Sequence, residues 1–221
     1  MNLELQGELL RRRDLDQAGR NAFDGRDGDE LRRLMAMDDD NAAWLSRVIG
    51  ETGWPGWSSV GEEGAHAAWL LAQHADRYPL LQRRCLELLE QAVATANASP
   101  ADLACLTDRV LLASGGQQRY GTQLAARDGR LVPSRLQDPQ TVDERRAAVG
   151  LEPLAVQVAR MLERYGPPRP AAVPCARCRA SCEVWLPEMG GTSRSRCPSC
   201  GYEITLRARM RAGPAVLQPK A

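Results

Sequence analysis

Four cysteines near the C-terminus constrain this chain more than any other feature. Cys175-Ala-Arg-Cys178 and Cys197-Pro-Ser-Cys200 are two Cys-x-x-Cys pairs separated by eighteen residues. That spacing lets two thiolates on one tight turn point at a common centre. Two such turns complete a tetrahedral S4 site suited to Zn2+, with Zn–S distances of about 2.3 Å. Gly201 gives the second turn backbone freedom, and Pro174 and Pro198 stiffen the chain around the cysteines. Two structural disulfides are the alternative. A chain of 221 residues with no apolar, cleavable leader is expected to be cytoplasmic, where disulfides do not persist. Four protein ligands leave no open position for water or substrate, so the metal is expected to be structural. Cys182, four residues after Cys178, is expected to be a free thiol or a strand residue.

The segment 175–211 resembles a zinc ribbon, in which two knuckles sit at the ends of short β-hairpins. Cys182–Leu186 and Tyr202–Arg207 read as its strands, with Met189–Thr192 as the loop between them. The net charge of +1 conceals an asymmetry. From Arg169 onward there are nine Lys/Arg and three Glu, or +6, which leaves −5 for the body. A basic ribbon bearing Trp185 and Tyr202, with Arg207, Arg209 and Arg211 beyond, fits nucleic acid or an acidic protein surface as partner. The competing reading is a solvated strand face and tail.

Upstream the periodicity is helical. Residues 2–22 carry a loose apolar stripe, with Asp16, Gln17 and Arg20 on the polar side; Asp16 and Arg20 are four apart, an ordinary helical ion pair. After a turn at 24–28, helices are expected around Asp29–Met37 and Asn41–Glu51, with Asp38, Asp39 and Asp40 as N-cap and first-turn charge for the second. Glu62–Asp76 is almost uncharged after its first turn and should be buried on most sides. It carries both histidines, His66 and His74. Further helices follow over Leu80–Ala94 and from Ser99-Pro100-Ala101-Asp102 to about Ala113. The period then changes. Arg119–Ala126 and Arg130–Leu136 flank Asp128-Gly129 as a β-hairpin, with Pro133 marking an edge strand. Asp138-Pro139 starts a helix ending at Gly150, and Glu152–Tyr165 is the last. The expected organisation is a helical domain over 1–165 with a hairpin near 118–136, a Pro-rich linker over 166–174, the ribbon over 175–211 and a tail over 212–221. The fold class is thus mainly α with one β-hairpin, plus a small C-terminal β zinc ribbon. No apolar run approaches the ~20 residues of a membrane span, so no membrane is expected.

The polar strings Gln73-His74-Ala75-Asp76, Asp108-Arg109 and Gln117–Gln123 stand out, with Gly53-Trp54-Pro55, Trp69–Leu71 and Val142–Arg146. Together these resemble an uncharacterised bacterial helical domain family, a domain of unknown function, over roughly residues 1–165. The resemblance implies a mainly helical fold whose hairpin carries the Gly-Thr-Gln string, and implies no activity. The ribbon lies outside it.

A histidine on a nearly uncharged helix needs partners, because an unpaired buried polar group costs a few kcal/mol. His74 and Asp76 are therefore the candidate catalytic pair, with His74 as general acid/base oriented by a carboxylate. Gln17, Arg20, Asp108, Arg109, Gln118, Tyr120 and Gln123 are the candidate ligand contacts. Strand alternation would put Gln118, Tyr120 and Thr122 on one side. Against this, Asp76 has the position of a cap for the next helix, and His74 that of a satisfied core histidine. His66 reads as a packing residue, and Cys85 and Cys105 as inert core thiols. No nucleophile elbow, P-loop, HExxH or dinucleotide fingerprint is present. Three functions compete: a cytosolic zinc protein whose ribbon docks on nucleic acid or protein while the helical domain holds a small polar ligand; a hydrolase or group-transfer enzyme using His74; and a structural adaptor without ligand.

Overall fold

The computed structural model describes residues 1–23, 28–127, 129–185 and 192–207. The expected turn residues 24–27 and Asp128, strand residue Leu186, most of the Met189–Thr192 loop, Arg209, Arg211 and the tail 212–221 lie outside them. The chain forms two compact units, one over Met1–Val110 and one over Leu111–Met210. Among the described residues there are seven α-helices and three separate two-stranded antiparallel sheets, so the chain is mainly helical.

The first unit is built from α1 (Leu3–Ala22), α2 (Gly28–Thr52), α3 (Trp57–His74), α4 (Pro79–Ala94) and most of α5 (Pro100–Ala113). Asn2 caps α1, its side-chain oxygen accepting from the Leu5 amide at 3.0 Å. The core joins Leu9 of α1, Leu45 and Ile49 of α2, Leu71 of α3, Leu81, Cys85 and Leu89 of α4 and Leu106 of α5. Ala65, Ala67, Ala68 and Ala72 are also buried there, so α3 presents small side chains and its neighbours approach closely. Burying each leucine is worth about 1.5–3 kcal/mol. Gly61, at φ 69°, breaks α3 after its first turn, so the regular helix starts at Glu62 as its sequence suggests. Ser99 Oγ accepts from the Asp102 amide at 3.2 Å and starts α5 as expected.

One expectation fails here. The two helices anticipated between Asp29 and Glu51 are a single helix, α2, with Asp38–Asp40 in its interior. Leu34 before that point and Ala42, Leu45 and Ile49 after it are the buried apolar residues of the helix. The three carboxylates are tolerated mid-helix because each meets a cation from another element: Arg20, Arg77 and Arg12 respectively.

The second unit begins as α5 ends. The amides of Gly115 and Gly116 bond the carbonyls of Leu112 and Leu111, and Gly115 takes φ 84°. The hairpin that follows pairs β1 (Leu124–Arg127) with β2 (Arg130–Pro133), Arg127 opposite Arg130. These strands are shorter than anticipated, because Gln118–Gln123 turns back on itself instead of extending. A 3-10 turn (Pro139–Thr141), α6 (Val142–Ala147) and α7 (Leu154–Tyr165) come next. Gly166, at φ 74°, ends α7 with its amide on the Leu162 carbonyl.

The ribbon has four strands where two were expected. β3 (Ala171–Pro174) pairs with β4 (Ser181–Val184), and β5 (Thr192–Arg196) with β6 (Glu203–Arg207). β3 therefore takes up the second half of the stretch anticipated as a linker. Val173, Val184, Ile204 and Leu206 pack with the cysteines into a small core of their own.

Candidate functional site

Each knuckle is closed by the same pair of bonds. The Cys175 amide reaches the Ala180 carbonyl and the Arg179 amide the Cys175 carbonyl; Cys197 with Tyr202, and Gly201 with Cys197, repeat this at 2.9 Å. The fifth knuckle position needs a left-handed backbone: Gly201 has φ 70° and Arg179 φ 63°. The four ligand sulfurs of Cys175, Cys178, Cys197 and Cys200 all lie within 4.8 Å of one another. Cys175–Cys200 and Cys178–Cys197 approach to 3.7 and 3.5 Å. A tetrahedral ion at about 2.3 Å from each sulfur requires edges of about 3.8 Å, so the donor set and its spacing fit a metal ion. Cys182 is a buried strand residue whose thiol meets the Ala180 carbonyl at 3.5 Å.

The first unit gathers a second set of polar side chains at the junction of its helices. Asp16 of α1 is fully buried, and its Oδ2 lies 2.7 Å from His74 Nδ1 at the end of α3. Arg20 donates to Asp16 at 3.1 Å and also to Asp38 of α2, while Gln17 donates to Asp16 at 3.0 Å. Burial alone would raise the Asp16 carboxyl; its hydrogen bond with His74 and the charges of His74 and Arg20 hold it below the usual carboxylate range. Asp38 moves the other way. Burial pushes it up to about 6, and Asp16, Asp76 and Asp39 add to the effect while Arg20 opposes it. The second His74 nitrogen, Nε2, has no partner among the described residues.

Asp76 lies in the turn after α3. It caps nothing: α4 starts on Tyr78 without a side-chain cap. Instead Asp76 Oδ2 accepts from Arg109 Nη1 of α5 and Oδ1 from Gln82 Nε2 of α4, both at 3.2 Å. Asp39 accepts from Arg77 at 2.6 Å and from the Tyr78 hydroxyl at 2.8 Å; burial and this carboxylate push the Tyr78 phenol up to about 12. Asp108 is fully buried. Of the candidate residues, Gln17, Arg20, His74, Asp76 and Arg109 thus lie in this network of the first unit. His74 and Asp76 do not pair; the carboxylate orienting His74 is Asp16.

Gln118, Tyr120 and Gln123 belong to the second unit, where Gln118 is fully buried. Its Nε2 donates to the carbonyls of Gln123, at 2.9 Å, and Ser134, and its Oε1 accepts the Gln123 amide at 2.7 Å. The side chain does what a ladder partner would do in a strand. Arg146, also fully buried, donates to the carbonyls of Tyr120 and Glu152 and to Gln157 Oε1 at 2.6–2.7 Å. Arg145 holds the Arg119 carbonyl at 2.7 Å. The Gln-Tyr-Gly-Thr-Gln loop is therefore a rigid, internally braced element, and its period-2 alternation does not apply. His66 is half-exposed: it stacks on Trp69 with ring centroids 4.7 Å apart and bonds Asp102 at 3.0 Å.

Asp16, Asp38, Asp39 and Gln82 escape a sequence reading. Asp16 looks like half of a surface pair and the three aspartates like a cap. The available signal was that three adjacent carboxylates interrupt an otherwise continuous apolar stripe. No helix among the described residues is long and apolar enough to cross a membrane. Residues 3–167 match the model of one protein family, described as a family of unknown function. No curated protein and no solved structure matches.

Proposed function

The chain belongs to that family of unknown function, DUF6624, and we propose that it is a cytoplasmic two-part binding protein. In this reading the four cysteines of the ribbon hold one structural Zn2+, the ribbon docks on a polyanion, and the helical unit holds a small polar ligand beside His74. The observation that carries it is the hydrogen bond between the fully buried Asp16 and the partly exposed ring of His74. A fully buried carboxylate fixes one ring nitrogen and leaves the other free to meet a ligand. Ring nitrogens in packing networks are usually met by protein or ordered water, and Nε2 of His74 meets no protein group among the described residues.

Zinc follows from the chemistry of four thiolates in a closed tetrahedral set, which favours a soft or borderline ion in a structural role. When bound, it would supply the cross-link between hairpins whose own apolar core is small. The polyanion follows from the arginines. Arg177, Arg179, Arg194, Arg196 and Arg207 are all exposed, and none has a guanidinium partner among the described residues. Arg194, Arg196 and Arg207 share the outward face of β5–β6, and Tyr202, 43% exposed, adds a stacking surface next to it. That composition suits phosphates and bases of nucleic acid better than a folded protein surface.

The second reading is an acid–base enzyme, favoured by the same pair. Asp16 would be the positioning residue and His74 Nε2 the proton acceptor, acting in a hydrolytic or group-transfer reaction. One experiment separates the readings. Thermal shift of the full-length protein against a metabolite library, in wild type and His74→Ala, should find a compound that stabilises only the wild type. Turnover of that compound selects the enzyme. Absence of any such compound, with His74→Ala losing more than about 2 kcal/mol, selects the structural adaptor. Nucleic-acid docking requires that full-length protein bind single-stranded oligonucleotide with an affinity that falls steeply with salt and with Arg194→Ala/Arg207→Ala.

A further inference from the structure

Helix α7 carries more apolar surface than its neighbours cover. Leu154, Val158, Met161, Leu162 and Tyr165 recur at helical spacing and make one stripe, yet no residue of the helix is buried. The start of the stripe is packed. Leu154 lies over Gly121, where an added Cβ would meet its Cδ1 at 3.5 Å, and the helix packs on β2. The end is open. Met161 and Tyr165 line a groove of about 570 Å3 together with Ala126 and Leu131, a cross-strand pair of the hairpin. Linker residues 166–168 and Arg169 complete the wall; Pro167 and Pro168 fix their own φ and keep it extended. The volume falls within the range of about 300–1,000 Å3 found for small-ligand clefts.

Charge and shape narrow what fits. Among the described residues Arg169 is the only charged one lining the groove, and it is exposed without a partner. The Arg164 guanidinium stands 5.2 Å from the centre of the Tyr165 ring. One position beyond Ala126 and Leu131, Arg127 and Arg130 oppose each other, both exposed, and outweigh the one intervening Asp128. These charges favour an anion. Leu131 and Met161 supply apolar contact, and Tyr165, 62% exposed, supplies a flat ring, so the body of the occupant is flat and stacks. A flat body joined to an anionic group describes a nucleotide; an acyl carboxylate would use the charge and leave the ring idle. The ribbon begins at the same place. Ala171, two residues after Arg169, starts β3 and pairs with Val184. The next residue, Trp185, lies against the hairpin tip, where a Cβ on Gly129 would meet its ring at 3.9 Å. Groove, hairpin tip and the near end of the ribbon are therefore contiguous within the second unit.

We propose that the groove between α7 and the hairpin is a base pocket, which takes one unpaired nucleotide of the strand held by the ribbon, its base against Tyr165 and its phosphate against Arg169. This rests on the reading that the ribbon docks on nucleic acid, and the test separates the two. The full-length, zinc-loaded protein is titrated, across a range of salt, with a labelled short oligothymidylate and with a labelled abasic oligomer of the same length and charge. Wild type should bind the oligothymidylate about tenfold tighter, the effect of one stacked base. Tyr165→Ala, an exposed change at the last residue of α7, should erase most of that preference and leave the slope of log K against log salt unchanged. Arg169→Ala should keep the preference and lower the slope by about 0.7, the share of one phosphate contact on a single strand. Binding of neither oligomer overturns both readings. Equal binding of the two leaves the docking ribbon and overturns the base pocket. A preference that survives Tyr165→Ala places the stacked base elsewhere, with Tyr202→Ala as the control, and overturns the groove. Saturable thermal stabilisation by octanoate, lost in Tyr165→Ala and unaccompanied by a base preference, assigns the groove to an acyl anion and overturns the nucleotide.

Discussion

Asp38 offers a stability test whose sign runs against the usual effect of breaking an ion pair. Its side chain is 17% exposed and bonded to Arg20, yet its pKa stands near 6 against an ordinary 3.8. A raised folded-state pKa in an acid means that the folded protein binds the proton more tightly than the unfolded chain. Stability therefore falls as pH rises from about 4 to about 6, and the cost is complete above that. At about 1.4 kcal/mol per pH unit, that displacement sets an upper limit of about 3 kcal/mol at neutral pH. Asparagine mimics the protonated acid, though it gives Arg20 a weaker partner, so Asp38→Asn should gain about 1–2 kcal/mol near pH 8. Urea unfolding of both proteins across pH reads this directly. The two curves should coincide near pH 4 and separate through pH 6, with the variant the more stable. If Asp38→Asn is the less stable protein at pH 8, the Arg20 bond outweighs burial and crowding, and the strain assigned to this carboxylate is not there. A stabilising change at a buried polar cluster is the expected mark of residues retained for binding.

Three further outcomes follow from the rest of the chain. Arg146→Met should cost the second unit about 3–5 kcal/mol, as expected when one partner of a buried charged network is removed; a loss below about 1 kcal/mol in urea would mean that the three acceptors find other donors. Arg179→Gly should raise apparent zinc affinity several-fold in a chelator competition, since a non-glycine residue at φ 63° costs about 1–2 kcal/mol; unchanged affinity would place no strain there. Elemental analysis should find one zinc per chain, with Cys178→Ser and Cys197→Ser each reducing it and a chelator abolishing ribbon amide protection while α1–α4 stay protected; loss of helical protection as well would show that the metal supports more than the ribbon.

What the sequence disclosed depended on how local the signal was. Cys175, Cys178, Cys197 and Cys200 were legible because their chemistry is written in spacing alone. Ser99, Pro100 and Asp102 marked the start of α5 by the same locality. His74 was legible as a residue needing partners, because its helix offered none. Its partner was not: Asp16 lies 58 positions earlier and shows only its local neighbour, Arg20. Asp38–Asp40 misled for the same reason, since three carboxylates resemble a helix start until Arg12, Arg20 and Arg77 arrive from other elements. Gln118 misled in the opposite sense. A polar side chain in a strand-like string suggests a surface aimed at a ligand, whereas its amide closes the loop's own backbone bonds.

The two knuckles of the ribbon are geometrically alike and chemically unequal. Gly201 accepts the left-handed turn at no cost, while Arg179 must be held in it. The backbone strain of closing the ribbon therefore falls on the knuckle of Cys175 and Cys178 and spares that of Cys197 and Cys200.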